Sequence, residues 1–400
     1  MATTLPTTDA TAGMPESKPD LLVVLPALAQ AELDAVVAQL TKALPGEQML
    51  IAAPGVAQAE AAGDVHGDVR FVESAAQNGS WLLTAAEFAQ AHRLAAEHQA
   101  RAVLLLGPEC TTLDVPGMRG MAEAVLSAHA DLAVPRYTLP PLAGLVNSAL
   151  LYPLSRTLFA TPVRYPLAVD LGISARMAER LAAAAQKLIA LNQGDAPLWA
   201  ASEAAATGMV VTEVDAGARE LPQPAAADLQ SVLSAVGGSL FRDIEAKAAL
   251  WQRARVAEAT RRTALTRGRL SDAADTAPMM QAFHLGYANL REIWGMVLSP
   301  NSMLGLKRLS QAEGAAFRMA DGLWVRIVYD FVVAWRLRTL NHNHLLGALV
   351  PLYLAWVASH IHLMNAGADA EQHVEALAAA FEADKAYLVA RWRWPDRFNP

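Results

Sequence analysis

The sequence holds a single cysteine, Cys110, among 400 residues. One thiol per chain excludes an intrachain disulfide framework and a cysteine-built zinc site. Charge is also scarce. Only 18% of residues are charged and the formal net charge is −7, so there is no general attraction for a phosphate backbone and nucleic acid is not an expected partner. Long apolar runs are lacking as well. The most membrane-like stretch, Leu345 to Ala358, is interrupted by Pro351 and flanked by histidines. A spanning helix needs roughly 20 apolar residues, so a buried core helix is expected there and no transmembrane segment. Residues 1–19 are rich in Thr, Pro, Ala and Ser without an apolar stretch, which predicts a disordered tail and no signal peptide. Together these absences point to a soluble, cytoplasmic protein.

What is abundant is apolar residues, at 54%, enough for a large core and more than one structural unit. In the first half, short apolar runs alternate with helical patterns. Leu21 to Pro26, Met49 to Ala53, Val69 to Val72, Ala102 to Leu106 and Asp131 to Val134 read as strands. Gln30 to Ala43, Thr84 to Gln99 and Val115 to His129 read as helices, and Thr84 with Glu87 fits a capping box. Such alternation argues for an α/β domain, a mostly parallel sheet covered on both faces. Ligands of such sheets bind at the carboxyl ends of the strands, where Pro26, Pro54 and Glu109 lie. Beyond about residue 225 strand signals stop. Helical patterns fill Asp228 to Leu265, Met279 to Leu298, Gly322 to Leu340, His344 to Met364 and Glu371 to Ala390, with a polar connector at Arg267 to Pro278. The expected division is a sheet domain over residues 20–224 and a helical region over 225–400.

The middle of the chain concentrates groups suited to anions. It carries Arg136-Tyr137, Pro141, Gly144, Asn147, Tyr152-Pro153-Leu154-Ser155-Arg156, Arg164-Tyr165-Pro166 and Asp170. A guanidinium suits bidentate binding of carboxylate or phosphate, although such arginines also cap helices and pair with acids. In this order the motifs resemble the GT-A glycosyltransferases of the mannosylglycerate synthase and glucosyl-3-phosphoglycerate synthase type. The later pieces Trp324 to Phe331, Pro351 to Leu354, Phe381-Glu382, Lys385, Tyr387 and Arg391-Trp392 are similar too. The resemblance implies a Rossmann-like GT-A domain and transfer of a hexose, with retention, from a nucleotide-diphosphate sugar to a small acidic, glycerate-like acceptor. It places Arg136, Tyr137, Asn147, Arg156 and Arg164 on anionic substrate groups, Glu109 and Asp170 in catalysis, and Pro26, Gly55 and Gly79 beside the donor. It also implies Mg2+ or Mn2+, which would neutralise the leaving diphosphate. A homodimer remains open as the oligomeric form.

Four departures fall on the donor side. Where the family carries a metal-binding Asp-x-Asp, this chain reads Leu106-Gly107-Pro108-Glu109-Cys110-Thr111, with Glu109 as its one carboxylate. The family's later metal-binding His corresponds to Leu221, in Ala216-Gly217-Ala218-Arg219-Glu220-Leu221. The base-reading Asp-Gly turn is Ala53-Pro54-Gly55, and no Lys or Arg occurs from Phe71 to His92. The expectations are therefore a hexosyltransferase working without the acidic pair, or a catalytically impaired homologue acting as a binding or regulatory module. His342-Asn343-His344 and His360-Ile361-His362 are spaced two apart, a spacing at which helical residues do not face each other, so helix-end and core histidines are expected. Cys110 lacks a nearby His-Asp pattern and is expected to be an inert thiol.

Overall fold

The computed structural model describes residues 18–56, 68–75, 81–161, 163–221, 229–253 and 273–395. Most of the expected tail, Gly79, and part of the expected connector lie outside the described residues. Seven strands form one sheet: β1 (Leu21–Val24), β2 (Met49–Ala53), β3 (Val69–Glu73), β4 (Ala102–Leu105), β5 (Leu132–Thr138), β6 (Leu171–Ser174) and β7 (Val211–Ala218). Their order is β3-β2-β1-β4-β6-β5-β7. β6 runs antiparallel to both of its neighbours, and every other pairing is parallel. Every residue of β1, β2 and β4 is buried, which is why these strands read as unbroken apolar runs rather than as alternating ones.

Helices α1 (Gln30–Ala43), α2 (Ala85–His98), α3 (Val115–Leu126), α4 (Tyr152–Phe159), α5 (Ala175–Ala190) and α6 (Ala200–Thr207) accompany the sheet. At the start of α2 the Thr84 N–H donates to Glu87 Oε2, one half of the expected capping box, while the Thr84 side chain makes no capping hydrogen bond. After β7 the described residues are helical: α7 (Leu229–Ala246), α8 (Ala248–Trp251), α9 (Ala277–Val297), α10 (Pro300–Leu309), α11 (Asp321–Leu337), α12 (His342–Asn365), α13 (Ala370–Ala383) and α14 (Lys385–Arg393). The α/β, mostly parallel sheet followed by a helical region is thus the fold expected from the sequence. The single helix expected over Glu371 to Ala390 is two helices, broken at Asp384.

One helix among the described residues, α12, is long and apolar enough to cross a membrane, and 72% of its apolar window is buried inside the protein. It packs the core as expected: Trp356 and Leu352 are fully covered. Its histidines follow the same logic. His342 stacks on Trp335 with ring centroids 3.5 Å apart, and His360 lies 2.6 Å from His373 across their Nδ1 atoms. Among the described residues no group of three or more His, Cys, Asp or Glu side chains is placed to hold a metal.

Ion pairs and buried hydrogen bonds lock the sheet to the helical region. Trp324 on α11 donates its indole N–H to the Ala149 carbonyl at 3.0 Å, and Lys385 donates to the Thr157 carbonyl at 2.9 Å. Both donors are buried, so each would be costly to leave unmade.

Candidate functional site

The turn after β4 is where the acidic pair was expected. Gly107 begins it, and a side chain there would meet the Val169 carbonyl at 2.6 Å, so only glycine lets the β4 exit lie against the segment entering β6. The Gly107 N–H donates to Asp170 Oδ1 at 3.0 Å, and the Tyr137 hydroxyl donates to Asp170 Oδ2 at 2.7 Å. The third partner of Asp170 is Arg219, a residue that sequence reasoning did not single out. Its Nε donates to Asp170 Oδ2 at 3.0 Å and its Nη2 to Oδ1 at 3.2 Å. The same guanidinium donates to the Pro108 carbonyl at 2.7 Å, the Glu220 carbonyl at 2.7 Å, Thr112 Oγ1 at 3.1 Å, and the Glu109 carbonyl. Both side chains of the Arg219–Asp170 pair are 0% exposed.

Burial works against the charged guanidinium, but the adjacent Asp170 carboxylate outweighs it and holds the Arg219 pKa above its ordinary value. Burial, with the Asp170 charge adding to it, also keeps the Tyr137 phenol protonated. The Cys110 thiol beneath the turn is buried and pushed up to about 12 by burial first and Asp170 second, so it is an inert thiol at neutral pH.

A bulge explains how Arg219 reaches this position. Arg136 of β5 pairs with Asp215 of β7, but Thr138 pairs with Ala218. β7 therefore carries one extra residue at Ala216 and Gly217, and Gly217 supplies the positive φ of +61°. One extra residue inverts the alternation of faces. Asp215 points to solvent with its side chain 70% exposed, whereas Arg219, of the same parity, is sealed inside. The signal available in the sequence was a lone arginine two residues after Gly217, in the segment Ala216-Gly217-Ala218-Arg219.

The residues expected to hold a metal do not fit one. Glu109 is exposed, on a left-handed backbone turn with φ 60°. Asp170 is spent on Arg219, and Leu221 offers no ligand atom. A guanidinium already bridges the turn's carbonyl oxygens, so a second cation there would face direct repulsion.

The expected anion-binding arginines are not brought together. Arg164 is 1% exposed and pairs with Glu371 of α13 through Nε and Nη2, both at 3.0 Å. Its guanidinium carbon lies 5.0 Å from the ring centres of both Tyr152 and Tyr165. Arg156 makes a two-point contact with Glu382 at 2.8 and 3.0 Å and reaches Glu375 at 2.7 Å. These two arginines tie α4 and the loop before β6 to α13. Arg136 pairs with Asp215 at 2.6 Å and, as the strand neighbour of Tyr137, points to the opposite face of the sheet. Of the donor-side candidates, Pro26 is buried behind β1. Gly55 is exposed, with its N–H bonded to Glu73 at 2.7 Å.

Tyr137 and Asn147 do meet, at a cavity of about 450 Å³ where the ends of β5 and β7 face α7 and α12. None of the described residues that line it carries a formal charge. Leu142, Leu145, Val146, Leu167, Leu221 and Val232 are half-buried and border it. Asn147 supplies the one carboxamide and donates to the Arg164 carbonyl at 3.0 Å.

No family model and no curated protein matches the chain. Solved structures with a similar backbone include glucosyl-3-phosphoglycerate synthase from Mycobacterium tuberculosis with Mn2+, UDP and glucosyl-3-phosphoglycerate. It is 16% identical, with 56% of this chain and 80% of that chain covered and a TM-score of 0.36. The same enzyme with Mn2+, UDP-glucose and phosphoglyceric acid is 15% identical over 56% and 79% of the two chains, with a TM-score of 0.36. A mycobacterial protein matches at 16% identity over 56% and 74%, again with a TM-score of 0.36.

Proposed function

We propose that the chain is a GT-A glycosyltransferase-like protein that has given up metal-dependent transfer and keeps its strand-end site as a binding module. The observation that carries this reading is the Arg219 guanidinium. It is paired with Asp170 and bridges the Pro108 and Glu109 carbonyls, in the turn where the resembling enzymes carry their acidic pair. Every N–H of that guanidinium has an internal acceptor, so none remains for a donor diphosphate. The ordered motifs from Arg136 to Asp170 support the family. Residues 20–224 would form the glycosyltransferase-like domain and 225–400 its helical complement.

A second reading is metal-free hexose transfer from a nucleotide-diphosphate sugar to an acidic, glycerate-like acceptor with retention. Arg136 favours it, because its partner Asp215 is exposed to solvent and a phosphate could displace such a pair at little cost. Release of nucleoside diphosphate separates the two readings. UDP- and GDP-hexoses are incubated with glycerate or 3-phosphoglycerate, with and without Mn2+. The binding-module reading expects release no faster than in buffer. Acceptor-dependent release without metal would establish the second reading and overturn the first.

A further inference from the structure

The cavity beside Tyr137 has the wrong chemistry for an anion and the right chemistry for something else. Among the described residues its lining has no Lys, Arg or His to meet a phosphate or carboxylate. The nearby cations are committed elsewhere, Arg219 to Asp170 and Arg164 to Glu371. Moving an unpaired charge out of water into such a site is strongly unfavourable. Apolar side chains that could have closed on one another instead stop half-buried around a void of about 450 Å³, within the roughly 300–1,000 Å³ typical of small-molecule sites. Polar side-chain groups among the described lining residues are few: the Asn147 amide, the Trp81 indole N–H and the hydroxyls of Tyr165 and Tyr353.

We propose that this cavity binds an uncharged, predominantly apolar small molecule that presents one hydroxyl or carbonyl to Asn147. The inference rests on the binding-module reading of the same site and names the class of ligand it takes. Burying the half-exposed leucines and valines supplies the driving force, at about 25 cal/mol for each Å² of apolar surface removed from water. The amide sets the orientation, because it offers both a donor and an acceptor, and a polar end group placed against the leucines and valines would lose its hydrogen bonds to water without replacement. Tyr137 forms the partition. Its ring lines the cavity while its hydroxyl belongs to the Asp170 network behind it.

The test uses the full chain and neutral Nile red as the probe. Saturable fluorescence enhancement at one dye per chain is expected, with displacement by 1-dodecanol and weaker displacement by dodecanoate at pH 8, by about tenfold or more. Val232→Trp, on α7, and Leu142→Trp, in the segment after β5, each fill the void. Either should weaken dye binding by about tenfold or more without lowering the unfolding temperature. The proposal is overturned by absence of saturable binding, by binding that both tryptophan variants leave unchanged, or by dodecanoate competing as well as the alcohol. A parallel arm with UDP-glucose and Mn2+ keeps the two readings apart. Stabilisation there would overturn the binding-module reading, whereas failure of Nile red with no nucleotide response would overturn the ligand class alone.

Discussion

Two neighbouring regions at the carboxyl edge of the sheet solve opposite problems. The turn after β4 gathers charge and seals it: Arg219 and Asp170 are fully buried and satisfy each other and the surrounding carbonyls. The cavity after β5 gathers no charge among its described lining residues and stays open, bordered by half-buried apolar side chains. One side chain, Tyr137, belongs to both. The contrast teaches that the presence of a cation near an expected site does not make an anion site. What matters is whether its donors are already spent, and here they are. Arg156 likewise spends its donors on Glu375 and Glu382 of α13, and Arg164 is held in two points by Glu371 of the same helix, although its buried Nη1 finds no acceptor among the described residues.

If the charged side is structural, damage to it should register in stability. The largest effect is expected for Arg219→Met, which strands the Asp170 carboxylate in the interior. Loss of one partner of a buried pair costs about 3–5 kcal/mol, read as a shift of the urea midpoint. A variant as stable as the parent would break the comparison. Glu371→Ala strands Arg164 between two tyrosine rings, and a loss of about 3 kcal/mol is expected by the same reasoning, measured again by urea unfolding.

Tyr137→Phe sharpens the contrast because it touches one region only. It removes a hydrogen bond to Asp170 and leaves the ring in the cavity wall. A loss of about 2 kcal/mol is expected, with Nile red affinity unchanged. A fall in dye affinity with no change in stability would reverse the roles assigned to the ring and the hydroxyl.

A smaller effect concerns pH. Burial acts to raise the pKa of Glu203 on α6, but Lys247 and Arg180, each 2.8 Å away, outweigh it and hold the carboxyl below its usual range. A carboxyl depressed in the folded state contributes stability that is present above the unfolded pKa of about 4.3 and is lost as pH falls through the folded value. Glu203→Gln should therefore cost about 1 kcal/mol at pH 7, and the gap to the parent should close in acid, followed by thermal unfolding. Dye binding in the cavity should stay flat between pH 5 and 8, because its described lining holds no Asp, Glu, His or Lys.

Much of the fold was legible in the sequence because its signals are local. The runs at β1, β2 and β4 are continuous since both faces are covered, and the Thr84–Glu87 box marks the start of α2 within four consecutive residues. β6 and β7 were missed. β6 is Leu-Gly-Ile-Ser, and β7 mixes Glu, Asp and Gly, residues depleted in strands; their pairing in the sheet overrides propensity. The candidate site was less legible for the same reason. Glu109 could be located as lying at a strand end, whereas Tyr137 and Asp170 were singled out only through the motifs that resemble the family. The role of Arg219 depends on a bulge at Gly217 and on a partner in another loop. The glutamates that occupy Arg156 and Arg164 lie on α13, near the far end of the chain, a distance across which no short pattern carries information.

The central claim is that the metal and diphosphate position is closed by Arg219. Thermal unfolding of the full chain with UDP-glucose or GDP-mannose, each with and without Mn2+, tests it most directly, since any ligand bound only by the native state raises the unfolding temperature. The account predicts no shift with any nucleotide sugar in the presence of metal. A dose-dependent rise that requires Mn2+ would contradict it.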